Sequence, residues 1–119
     1  MAEPLPDTPR SLRVPDVILI QSRDFWIKVV DMLQHNWALI EPEGSKVTIY
    51  FLHDLGGVFD ELSYSDLREA QAALRLNGFS RYDEDPRFAK MCARPEQPFR
   101  RVNHPNGPIY SSGRYWTNP

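Results

Sequence analysis

Apolar positions recur along this chain with two spacings, and the spacing assigns most of the elements. Trp26, Val29, Val30, Leu33 and Trp37 fall at i, i+3, i+4, i+7 and i+11, with Lys28, Asp31, Gln34 and His35 between them. This pattern predicts an amphipathic helix over 22–36, capped by Ser22, with Asp24 at its positive end and Asn36 at its stop. From Trp37 the period shortens to two. Residues 37–41, 47–53 and 58–64 read as antiparallel strands, joined by the turn Pro42-Glu43-Gly44-Ser45 and the hairpin connection Asp54-Leu55-Gly56-Gly57.

Parity across these turns sorts the side chains into two faces. Ala38, Ile40, Val47, Ile49, Phe51, Leu62 and Tyr64 share one, as a buried face requires. Trp37, Leu39, Thr48, Tyr50, Leu52, Phe59 and Glu61 share the other, which is too apolar to stand in water and needs a cover.

A second helix is expected over 65–77. Asp66 with Glu69 forms a capping-box pattern, Leu67, Ala70, Ala73 and Leu74 make the buried stripe, and Asn77-Gly78-Phe79 fits a Schellman ending. A short strand over 79–82 and a short helix beginning at 83–86 follow, the helix with Pro86 in its first turn and Phe88, Met91 and Cys92 inward. Residues 14–20 fit either an edge strand or extended chain lying on the core.

The expected fold class is therefore α+β. A three- to four-stranded antiparallel meander packs one face on helices 22–36 and 65–77, in the order α-β-β-β-α-β-α. An irregular C-terminal segment crosses the other face. Trp26, Val30, Leu33, Ile49, Phe51, Leu62, Leu67 and Leu74 form the expected core. Prolines crowd both ends, so residues 1–12 are expected to be loose. Residues 13–119 are expected to form one domain, with 95–119 a proline-rich extension packed on the body.

Charge sharpens the role of that extension. Residues 1–86 hold eight Lys and Arg against fifteen Asp and Glu, whereas residues 87–119 hold six against Glu96 alone. A cationic, aromatic tail folded over an anionic body accounts for the charge split and for the uncovered face together. The same alternation of Arg with aromatic residues suits single-stranded nucleic acid, a second reading through Arg100, Arg101 and their neighbours. Arg outnumbers Lys eleven to three, which favours planar, bidentate contacts with carboxylates and phosphates.

No phosphate-binding glycine motif, nucleophile elbow or metal-ligand spacing is present, so no cofactor and no metal are expected. Two places hold titratable groups. His53 and Asp60 face each other across the second hairpin if its loop is Gly56-Gly57, which would make a general base with its orienting acid, or a cross-strand ion pair. The stretch from Asn103 to Arg114 gathers His104, Tyr110, Ser111, Ser112 and Arg114 among glycines and prolines.

The reading these features favour is a non-catalytic binding or protein-interaction module. Its contact surface is expected around His104, Tyr110, Arg114 and Trp116, with Arg100 and Arg101 beside it. Self-association is a variant of this reading, driven by an incompletely covered sheet face. A small enzyme using His104 or the His53–Asp60 pair is the third reading. The single cysteine, Cys92, fits a reducing compartment, and no apolar run approaches the roughly 20 residues of a membrane span. The start lacks the pattern of a signal peptide, and the cytoplasm is the expected location.

Overall fold

Phe25–Asp31 and Gln34–Glu43 are strands, where a helix over 22–36 was expected. Phe25 and Ile27 are buried on one side of the first of these strands and Trp26 on the other. A strand buried on both faces shows a continuous apolar run instead of alternation, so a helical spacing can be picked out of it by coincidence. The local preference was already for extended chain, because Phe, Trp, Ile and two Val fill the run.

The computed structural model describes residues 17–31, 34–105 and 110–116. In chain order the elements are β1 (Val17–Ile18), β2 (Phe25–Asp31), β3 (Gln34–Glu43), β4 (Lys46–Leu52), β5 (Gly57–Tyr64), α1 (Leu67–Leu76), β6 (Ser80–Arg81), α2 (Pro86–Met91) and β7 (Phe99–Arg101), with 3-10 turns at Tyr82–Glu84 and Gly113–Tyr115. The seven strands form one mixed sheet in the order β1-β7-β5-β4-β3-β2-β6. Every pairing is antiparallel except β5 with β7. The meander of three or four strands is thus the centre of a larger sheet. Residues 17–18 form an edge strand, and part of the C-terminal segment is itself a strand. The Gln97–Pro98 peptide leading into that strand is cis. The loose segment expected over 1–12 lies outside the described residues.

The central registers follow the parity argument. Ala38 pairs with Phe51, Ile40 with Ile49 and Ile49 with Leu62. The first hairpin closes one step tighter than expected, with Glu43 opposite Lys46 and Gly44 at φ +68° in a two-residue loop. The second hairpin carries a bulge. Phe51 pairs with Asp60 but Leu52 pairs with Val58, so Phe59 is the extra residue. The bulge moves Phe59 off the face that parity assigned it and into the cluster with Phe51, Trp26 and Phe79.

Both faces of the sheet are covered, but not as expected. α1 packs on the face of Ala38, Ile40, Ile49 and Phe51. With no helix at 22–36 to share that face, Tyr110 and Trp116 fill the remainder. The Trp116 ring lies 5.1 Å from Phe51 and 6.0 Å from Phe79. The opposite face, with Trp37, Leu39, Tyr50 and Leu52, is closed by Tyr82, Phe88, Cys92, Ile20 and Phe99. Tyr110 and Trp116 of the C-terminal segment therefore lie on the helix face, not across the other one, while the start of that segment, with Phe99, reaches the second face. Self-association through an uncovered sheet face loses its ground. Among the expected core residues, Val30 and Leu67 are exposed at 39% and 44%, Leu62 is half-buried, and Leu33 lies outside the described residues.

α1 begins and ends as its sequence dictates. Asp66 accepts from the Glu69 amide at 2.8 Å, and the Glu69 carboxylate returns to Ser65. Gly78 takes φ +89° while Phe79 N–H donates to Leu74 C=O and Gly78 N–H to Arg75 C=O, the Schellman pair. Among the described residues no helix is long and apolar enough to cross a membrane.

Candidate functional site

Asp60 stands opposite Phe51, on the face of the sheet that Tyr110 and Trp116 cover, and a chain of short contacts forms there. The Ser112 hydroxyl donates to Asp60 Oδ2 at 2.7 Å, and His104 Nε2 lies 2.9 Å from Ser112 Oγ. His104 Nδ1 lies 2.6 Å from the Pro105 carbonyl, which only accepts. The three contacts need three protons. Ser112 supplies one, and His104 with Asp60 hold the other two between them. Phe59 meets the His104 ring edge to face at 5.1 Å, and Tyr115 lies 5.7 Å away.

Serine, histidine and a carboxylate are the parts of a nucleophilic triad, but their order here differs. In a triad the base holds the serine proton and the acid orients the base. Here the acid holds the serine directly, and Ser112 is fully buried. The His104 side chain is 3% exposed. The arrangement is a buried clamp that ties His104 and Ser112 to β5.

The other nominated residues divide between inside and outside. Tyr110 packs on Phe59 at 6.0 Å, and Trp116 donates from Nε1 to Ser111 Oγ at 3.1 Å. Arg101 pairs with Glu61 at 2.8 Å, whereas Arg100 and Arg114 are exposed and form no ion pair among the described residues. Phe99 and Trp116 are turned into the core, so the alternating rings and guanidinium groups of the C-terminal segment do not share one surface. The turn at Asn106-Gly107 lies outside the described residues.

His53 and Asp60 do not face each other. The hairpin closes with His53 bonded to Gly57 instead of across a Gly56-Gly57 loop, so Asp60 stands opposite Phe51, and the His53 ring folds over its own hairpin. His53 Nδ1 accepts from the Leu55 and Gly57 amides at 3.1 and 3.4 Å. Cys92 is half-buried at the end of α2, and burial with the Asp54 charge pushes its thiol above the usual value, which favours the protonated form.

A groove that the sequence did not single out opens on the second face. It encloses about 540 Å³ between Arg23 and the 93–97 segment, floored by Tyr82, Pro95 and Phe99. The Arg94 guanidinium sits 5.5 Å above the Tyr82 ring and 5.8 Å above Phe25. Neither Arg23 nor Arg94 has a carboxylate partner among the described residues. Two other polar groups in the lining are engaged internally: Gln97 donates to Ile20 C=O at 2.9 Å and Tyr82 to Cys92 C=O at 2.7 Å.

Protein-family models, curated proteins and solved structures contain no match to this chain. The chemistry of the sites is therefore the whole basis for a functional reading. Among the described residues, no three His, Cys, Asp or Glu side chains converge as a metal site would require. The only sequence signal for the groove is the excess of Arg over Lys. Its walls come from positions 23 and 82–99, and nothing local joins them.

Proposed function

We propose that this protein is a non-catalytic binding module whose contact surface is the groove between Arg23 and Arg94. The observation that carries this reading is how the reactive groups are used. His104, Ser112 and Asp60 hold one another in a buried clamp, and His53 closes its own hairpin. Arg23 and Arg94, by contrast, line an open concavity and pair with no carboxylate among the described residues. Concave surfaces with a few convergent polar groups are where ligands and partner side chains settle. The groove supports this reading better than the surface around His104, Tyr110, Arg114 and Trp116, because three of those four side chains turn inward.

Amide shift mapping with a panel of peptide and small-molecule fragments tests the binding half. The perturbed amides are expected along Arg23 and Arg94–Gln97, and a map centred elsewhere would remove the proposal. A parallel panel of ester and phosphoester substrates tests the non-catalytic half. Turnover that disappears in a folded His104→Gln variant would make the clamp an active site.

A further inference from the structure

We infer that the groove binds a small oxyanion carried on an apolar body, seated between the guanidinium groups of Arg94 and Arg23. This deepens the binding-module reading, on which it rests, by naming the chemistry of the ligand. Four other guanidinium groups of the chain are matched to carboxylates within 3.2 Å: Arg75 to Glu84, Arg81 to Asp24, Arg87 to Asp85 and Arg101 to Glu61. Arg94 is half-buried and has none. Two rings fix its position, yet its N–H donors have no acceptor among the described residues. A planar fork held in place with open donors suits the two oxygens of a carboxylate or phosphoryl group. Arg23 supplies a second positive charge to the same groove.

The rest of the lining sets the body of the ligand and its charge. Tyr82, Pro95 and Phe99 are buried and give an apolar floor. Glu96 stands exposed in the lining and repels a second negative charge. Asp24, Arg81, Asp83 and Glu84 line a neighbouring concavity that also includes Arg23, where Asp24 is paired with Arg81 and Glu84 with Arg75. Asp83 and Glu96 form no ion pair among the described residues and oppose a polyanion, so a compact anion fits better than nucleic acid.

The test is titration of the full-length, isotope-labelled chain with phenylacetate and, separately, with phenyl phosphate. Saturable shifts at Arg23, Arg94 and Gln97 are expected at millimolar ligand. Tighter binding of phenylacetate assigns the head group to carboxylate, and tighter binding of phenyl phosphate assigns it to phosphoryl. Arg94→Met is expected to weaken binding by at least about tenfold. Arg94→Lys keeps the charge without the fork and recovers only part of the loss. Arg23→Met, at an exposed position that does not threaten folding, weakens binding as well, and Arg100→Met leaves it unchanged. The inference is overturned if neither compound saturates, if Arg23→Met and Arg94→Met both bind like the parent, or if a single-stranded oligonucleotide binds tighter and loses affinity in Arg100→Met. Fragments that occupy the groove without responding to either groove arginine would overturn the oxyanion inference and leave the binding-module reading standing.

Discussion

Ser112 and Asp60 stand 52 positions apart in the chain and meet at 2.7 Å. Their contact is one polar attachment of the C-terminal segment to the sheet, with the Arg101–Glu61 pair another, and it forms on the face where Asp60 stands opposite Phe51. Around this contact lies an apolar seal of Phe59, Tyr110 and His104, with Trp116 seated further along the same face.

Ser112→Ala removes the donor to Asp60 and the neighbour of His104 Nε2 together. A hydrogen bond to a charged, partly buried group contributes about 1–3 kcal/mol, and that is the expected loss of unfolding free energy. Urea denaturation of the variant measures it. A midpoint equal to that of the parent would mean the clamp carries no stability.

Trp116→Ala is expected to cost about 2–4 kcal/mol, since it opens a space between Phe51 and Phe79 under α1. Arg114→Ala, two positions away with an exposed side chain, is expected to stay within about 0.5 kcal/mol of the parent. Thermal melts of the two variants separate a packed C-terminal segment from a loosely associated one. Equal melting temperatures would contradict the packing.

Gly57 and His53 form a pair that a double-mutant cycle resolves. A Cβ at Gly57 would fall inside the His53 ring, so Gly57→Ala displaces the ring from the Leu55 and Gly57 amides. His53→Ala loses the same contacts, worth about 1 kcal/mol. Once His53 is alanine, adding Gly57→Ala is expected to cost almost nothing further. Additive losses would show that Gly57 is needed for a reason unconnected with His53.

The Glu43 side chain gives the stability a definite pH dependence. Thr48 and Tyr50 hydroxyls donate to its carboxylate at 2.6 and 2.8 Å and hold its pKa below the ordinary 4.5. A depressed folded value means the stabilisation is present above 4.5 and is lost as pH falls through the folded value. Burial, helped by the Glu43 bond, pushes Tyr50 well above its ordinary 10, so its contribution is present below 10 and is lost as pH rises. Glu43→Gln is expected to flatten the acid limb of a stability–pH profile, and Tyr50→Phe the alkaline limb. An acid limb in Glu43→Gln as steep as in the parent would assign the effect to other carboxylates.

How much of this was legible in the sequence depends on whether the determining residues are neighbours. α1 was legible because its caps are local: Asp66 and Glu69 at one end, Gly78 and Phe79 at the other. The faces of β3 and β4 were legible because side-chain alternation survives a one-step change in hairpin closure. β2 was not, because burial on both sides erases the alternation that marks a strand. Among the site residues, His104 and Ser112 stand out as a polar cluster in a loop, but their partner Asp60 lies 52 positions before Ser112, and nothing local joins them. The groove was invisible for the same kind of reason. Arg94 acquires its two rings from residues 12 and 69 positions earlier.

The pairing of β1 with β7 joins Ile18 to Phe99 and Val17 to Arg100, across most of the described chain. The hairpins of β2 to β5 close between neighbours, so they can zip while that long-range contact is still searching. β7 is also the strand that lies along Gly57 and Val58. Until it docks, the nascent sheet has a raw flank whose amides and carbonyls accept any extended chain that arrives first. Refolding yield should therefore fall as protein concentration rises, and a trans-added peptide matching residues 97–103 should compete for that flank.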